Sequence, residues 1–326
     1  MASAINHQTT DLRGFLDFLE LWAQLARGES PDFTKIPKDW TRTPGQYFPR
    51  VIDRSTEGTY PSPPPFSIAP TPVTEPAAYL LVPSAVTRWK FTKSSMERMK
   101  NDFSPSASSN EPKSGQWISS GDALAAIVSG VITRARNIGH VSRLKGRSSE
   151  DSQIEKVAMA ADGRERSVQA KMAGGQYFGN FNNLWSADIS RSDLLSPTSE
   201  AASRVALAIR SGINVHLSPE AIAKRIAFFE DPRNAQPPGR IDWAADIILT
   251  NWCRFDLQGP TFDFGWGKPF SSTSGGGTVF PPGYCLMTQD KDSGEVTAMI
   301  TVEHAGADAL KADALLNKYA TLETVT

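Results

Sequence analysis

Seven prolines fall between residues 61 and 76, at positions 61, 63, 64, 65, 70, 72 and 76. Each fixes its own φ and removes a backbone donor, so neither a regular helix nor a central strand runs through the stretch. It reads as a stiff linker over residues 61–86. That divides the 326-residue chain into a leading segment, 1–60, and a following segment, 87–326. The whole is long enough for a sizeable core and two lobes.

On either side of the linker the periodicities are clear. Phe15, Phe18, Leu19, Trp22 and Leu25 share one face of a helix over 12–27, with Gly28 as its C-terminal cap. Ser119-Ser120-Gly121-Asp122 opens a second helix, carried by Leu124, Ile127, Val128 and Val131 and ending near Arg136. Residues 141–153 are polar and charged and predict an exposed loop, while Val157 to Ala161 predicts a short apolar strand. A helix near 198–211 is expected to stop at Gly212, and another to run from Ser218-Pro219 to Asp231-Pro232. Asp246 to Leu249 predicts a buried strand. Tyr284–Gln289 and Glu295–Glu303 flank a hairpin turn at 290–294, and Val296, Ala298, Ile300 and Val302 alternate as a half-buried strand does. Leu310, Leu315 and Leu316 mark a last helix. Strands mixed with helices predict an α/β or α+β fold.

Composition then narrows the class. Hydrophobic residues make up 40% and charged residues 21%, and the net charge is -1, which gives no nucleic-acid or membrane-surface partner. Two cysteines, Cys253 and Cys285, are too few for a disulfide scaffold or a zinc cluster, so no metal and a reduced, cytoplasmic protein are expected. Both sit in apolar stretches and read as buried, inert thiols. No apolar run reaches membrane-spanning length, and residues 1–7 lack a signal-peptide pattern.

Chemistry points to histidine, the usual general base near neutral pH. There are four: His7, His140, His216 and His304. The pattern H-x-x-x-D occurs twice, as His7…Asp11 and His304…Asp308. A pattern met twice among four histidines does not by itself choose between them.

Other segments do. Asp263-Phe264-Gly265-Trp266-Gly267-Lys268-Pro269 is preceded by Asn251-Trp252-Cys253-Arg254-Phe255. Upstream stand Asp162-Gly163-Arg164-Glu165-Arg166, Tyr177-Phe178-Gly179-Asn180 and Ser119-Ser120-Gly121-Asp122-Ala123-Leu124-Ala125-Ala126. In content and order these blocks resemble the BAHD family of CoA-dependent acyltransferases, in its fungal, trichothecene acetyltransferase-like branch. The resemblance implies a chloramphenicol acetyltransferase-like lobe, a mixed sheet flanked by helices, with the first lobe incomplete. Residues 1–60 are then a remnant of the N-terminal lobe, 61–86 the crossover and 87–326 the C-terminal lobe.

It also implies an activity: transfer of an acyl group from acyl-CoA, with acetyl-CoA the expected donor, to the oxygen or nitrogen of a small-molecule acceptor in secondary metabolism. No permanently bound cofactor is implied. His7 becomes the general base, and His304 has no catalytic role. Asp11 is implied to pair with Arg164 and hold the His7 loop, and Asp263 to make a structural salt bridge. CoA is anionic, so Lys145, Arg147 and Lys171 are candidate contacts, though a solvated loop accounts for each. The sequence departs from the family in placing the motif at residue 7, after Asn6 rather than a second His, and in Leu12, where Gly or Ala is usual. A lone half-channel exposes apolar surface and leaves His7 poorly held. Activity therefore requires the missing lobe from a second chain or a longer reading frame; the alternative is a non-catalytic remnant or partner subunit.

Overall fold

In a computed structural model the described residues are 3, 5–7, 9–31, 44–50, 66–69, 82–105, 116–136, 153–173, 177–230, 240–243, 245–272 and 280–323. His140, Lys145, Arg147 and nearly all of the 141–153 loop lie outside them.

The first half of the chain contributes α1 (Leu12–Ala26), β1 (Phe66–Ala69), β2 (Ser84–Phe91), α2 (Lys93–Phe103), α3 (Ser120–Arg136), β3 (Ile154–Asp162) and α4 (Val168–Ala173). There follow β4 (Asn182–Ser190), α5 (Arg191–Leu195), α6 (Ser199–His216), α7 (Pro219–Glu230), β5 (Arg240–Trp243) and β6 (Ile247–Asn251). The chain continues with β7 (Tyr284–Gln289), β8 (Val296–Glu303), α8 (Ala307–Lys311), α9 (Ala314–Tyr319) and β9 (Thr321–Glu323).

Seven strands form one mixed sheet in the order β4-β3-β6-β7-β8-β2-β9. The central pairs β3·β6 and β6·β7 are parallel, in register Val157↔Ile247 and Leu249↔Cys285. Parallel strands need both faces covered, which is why β6 reads Ile-Ile-Leu without alternation. The flanking pairs are antiparallel, and in β2 the alternation is plain: Thr87, Trp89 and Phe91 are buried while Val86 and Arg88 are exposed. Against this sheet lies α3, apolar on nearly every side and buried over most of its length. Trp89, Phe91, Leu124, Ile127, Trp185 and Ile300 belong to the one large core that results. Each such aliphatic side chain contributes about 1.5–3 kcal/mol by leaving water.

Several expectations change. The boundary drawn at residue 87 falls inside β2, which starts at Ser84 and pairs with both β8 and β9. Within the proline-rich stretch, β1 pairs antiparallel with β5 as a separate two-stranded ribbon, so a short strand lies inside the expected linker. Gly212 does not stop its helix, for α6 continues to His216. A Cβ there would come within 2.4 Å of the Ser186 carbonyl oxygen, so this glycine lets α6 lie close on β4. The last helix is two, because the Asp313 side chain accepts from Leu316 N at 2.8 Å and starts α9 afresh. On the shared apolar face of α1, Phe18, Trp22 and Leu25 are 46%, 44% and 57% exposed. No helix among the described residues is long and apolar enough to cross a membrane.

Candidate active site

The site is assembled at the start of α1. Asp11 is the N-cap of that helix, its Oδ1 accepting from Gly14 N at 3.0 Å. Gly14 is required here, because a Cβ would lie 2.4 Å from Thr10 Oγ1 and 2.6 Å from the Phe178 carbonyl oxygen. The helix start thereby closes on the segment that leads into β4, and Phe181 N donates to Asp11 Oδ2 at 2.7 Å.

Arg164 completes the clamp. Its Nη1 and Nη2 donate to the two oxygens of Asp11 at 3.0 and 2.9 Å, a two-pronged pair. The same guanidinium donates to Asp162 Oδ1 at 3.0 Å, to the Tyr177 carbonyl at 3.0 Å and to the Gly179 carbonyl at 2.7 Å. Burial works against its charge, but Asp11 and Asp162 outweigh it and hold Arg164 above its ordinary pKa. Asp11 is buried and accepts from four donors, as many as a carboxylate readily takes.

His7 stands four residues ahead of that anchor. Its backbone carbonyl accepts from Asn180 Nδ2 at 2.9 Å, and Thr9 N donates to the Asn6 carbonyl at 2.8 Å, closing a turn beneath it. The imidazole is exposed. It lines an open groove of about 1870 Å³ together with Thr10 and Asp11. The groove is lined further by the end of β3, by Thr250–Arg254 at and just past the end of β6, by parts of 262–272 and by Tyr284. Of the histidines described, His7 alone lines it. His216 lies at the end of α6, with Nε2 at 3.5 Å from Ser186 Oγ, and His304 follows β8.

The 263–267 turn has its own logic. Asp263 Oδ1 accepts from Gly265 N at 2.7 Å and Gly267 N at 2.8 Å, and these donors hold its pKa below the usual range. Gly265 and Gly267 have φ of 99° and 96°, which glycine adopts without strain. Where a side-chain salt bridge is expected for Asp263, the carboxylate instead caps a backbone turn, and it is the Asp263 carbonyl that accepts from Arg27. Trp266 does not pack beneath the turn. It is 81% exposed and stacks on Phe264, whose ring meets Trp22 edge-on at 5.3 Å.

Burial pushes the Cys253 thiol up to about 12 and the Cys285 thiol well above the ordinary value, so both stay protonated at neutral pH. Cys253 sits in the turn after β6, not in a strand. Lys171 is exposed on α4, away from the groove. Among the described residues no group of three His, Cys, Asp or Glu side chains is placed to hold a metal.

Two features escaped sequence reasoning. Thr250 Oγ1 and Tyr284 OH share a hydrogen bond of 2.7 Å on the groove wall, from residues 34 apart that parallel pairing of β6 and β7 brings together. Arg166 and Arg254 also line the groove. Arg166 was visible as the second arginine of its block, but only the fold shows where it faces.

The sequence matches the Transferase family over residues 1–317, which covers the clamp, the groove and the sheet. The chain belongs to this family, the BAHD-type acyltransferases. No curated protein matches it in sequence. Among solved structures, F. sporotrichioides TRI101 complexed with coenzyme A and T-2 is similar in fold, with a TM-score of 0.70 and 20% identity, over 96% of this chain and 65% of that one. F. graminearum TRI101 with coenzyme A and T-2 mycotoxin gives 0.65 and 19%, over 96% and 64%. Vinorine synthase gives 0.58 and 18%, over 95% and 60%. The chain thus spans just under two thirds of these BAHD-fold structures.

Proposed function

We propose that this chain is an acyl-CoA-dependent O- or N-acyltransferase of secondary metabolism, acting in the cytoplasm on a small-molecule acceptor, with His7 as its general base. His7 takes the proton from the acceptor hydroxyl or amine. The acceptor atom attacks the thioester carbonyl, the C–S bond breaks, and the CoA thiolate leaves and takes that proton back from the imidazolium. The chain's own part is position and proton transfer. Asp11 and Arg164 fix the loop below His7, and Asp263 shapes the 263–267 turn. Paired hydroxyls such as Thr250 and Tyr284 always keep one hydrogen free, whichever donates to the other, so this wall offers a donor to the developing oxyanion or to the acceptor.

The observation that carries the reading is His7 on the groove, backed by the buried Asp11–Arg164 clamp. Family membership supports the reaction type, and the neighbours' complexes with coenzyme A, T-2 and deoxynivalenol support acyl-CoA as co-substrate and a small acceptor. In the same reading 1–60 belongs to an amino-terminal lobe, 61–86 to the crossover and the remainder to the C-terminal lobe. The test is release of free CoA from acetyl-CoA with a panel of small alcohols and amines. His7→Ala is expected to lower turnover by about 10²–10⁴-fold; unchanged turnover removes His7 from the mechanism.

A second reading has its own observation. The exposed apolar side chains on α1 favour a non-catalytic partner subunit. It predicts no CoA release from the isolated chain and oligomers in size-exclusion chromatography.

A further inference from the structure

The clamp uses one arginine of the 162–166 block and leaves the other. Arg164 and Arg166 stand two residues apart in the turn after β3. Arg164 is fully engaged by Asp11, Asp162 and two carbonyls. Arg166 is half-buried and lines the groove. Its Nε makes one long contact, 3.3 Å to the Asp162 carbonyl oxygen. Among the described residues its two Nη groups meet no acceptor and no carboxylate pairs with it.

The nearby acids do not answer its charge. Asp162 gives Oδ1 to Arg164, and its Oδ2 lies 3.7 Å from Arg254 Nη1. Glu165 is exposed and faces Arg254 Nη2 at 3.8 Å. Burial, then the fields of Arg254 and Arg210, lower the Arg166 pKa, with Asp162 and Glu165 opposing. A guanidinium held in this way, with its fork free and a second arginine beside it, is stabilised by any oxyanion that enters the groove. Its planar pair of N–H groups matches the two oxygens of a carboxylate or phosphate.

We infer that Arg166, backed by Arg254, is an anion-recognition point of the groove, holding a carboxylate or phosphate oxyanion carried by one of the two substrates. The inference rests on the groove being the acyl-transfer site, but its test does not depend on turnover. Inorganic pyrophosphate and malonate are titrated calorimetrically into the His7→Ala chain, alone and combined with Arg166→Met or Arg166→Lys, thermal melting confirming that each variant folds. At least one anion is expected to bind the parent and to bind Arg166→Met about tenfold or more weakly, with Arg166→Lys between. Coenzyme A and the uncharged pantetheine then separate the sources. If Arg166→Met weakens coenzyme A but not pantetheine, the oxyanion is a CoA phosphate. If it weakens malonate and leaves coenzyme A unchanged, the oxyanion is a carboxylate on the acyl group or the acceptor. Equal anion binding by parent and Arg166→Met, or no anion binding by the parent, overturns the inference. Failure of the acyltransferase reading shows separately, as no release of CoA from acetyl-CoA by the unsubstituted chain.

Discussion

Asp11 does two jobs with one carboxylate: it caps α1 and it neutralises Arg164. The pair is almost wholly out of water, so cutting it leaves a buried guanidinium with Asp162 as its one remaining carboxylate partner among the described residues. Breaking a buried pair from one side costs about 3–5 kcal/mol. Asp11→Ala is therefore expected to lower unfolding stability by that order, read by urea titration, and to reduce CoA release along with it. Asp11→Asn keeps an acceptor for Gly14 N and is expected to cost less. An Asp11→Ala protein as stable as the parent would show that the clamp carries no weight. The family resemblance implied this pair, through the place of Arg164 in its D-x-R-x-R block. The role of Asp263 was not legible, because no sequence pattern separates a carboxylate that meets a cation from one that meets the N–H groups of its own turn.

At the scale of elements, α3 was readable from its 3.6-residue apolar repeat and α7 from the prolines at its two ends, both nearly to the residue. What failed was anything set by a neighbour. Gly212 carries the same local signal as a terminal glycine, and only the Ser186 carbonyl against it shows that it serves close packing. The strand β4 does alternate, with Asn183, Trp185, Ala187 and Ile189 buried along one face, a short period of two that went unread between its helical neighbours. The α6–β4 contact also titrates. Burial, then Arg225 of α7 and Lys156 of β3, lower the His216 pKa, while Asp188 of β4 opposes them. The folded chain thus prefers neutral His216, and the unfolded chain binds its proton more readily. That contribution to stability is present above about pH 6.5 and is lost as pH falls through the lower folded pKa. Urea unfolding at about pH 7.5 and pH 5 is expected to show a smaller acid-side loss in His216→Gln than in the parent, by up to about one linked proton. Equal losses would mean that His216 contributes nothing to the pH dependence.

Across the whole molecule, some of the apolar side chains left outside the core form one run that reaches the groove at Phe264, Trp266 and Phe270. Phe18 and Trp22 on α1 continue through Phe264 to Trp266 as a run of ring contacts, and Phe270 beyond them is 97% exposed. The sequence placed Phe18 and Trp22 on one face of a helix. Periodicity states which side chains share a face, never what lies across from it. A folded chain that keeps such a run in water is expected to bind a hydrophobic dye such as anilinonaphthalene sulfonate under native conditions. Replacing Trp22 and Trp266 together by Glu places two charges in the run without touching the clamp or His7. It is expected to cut the dye signal several-fold at unchanged melting temperature, because neither side chain is buried. A signal that persists in the double variant would place the dye elsewhere on the surface. A parent that binds no dye would mean that the run is covered in solution, and its mass by light scattering would then show whether a second chain is the cover.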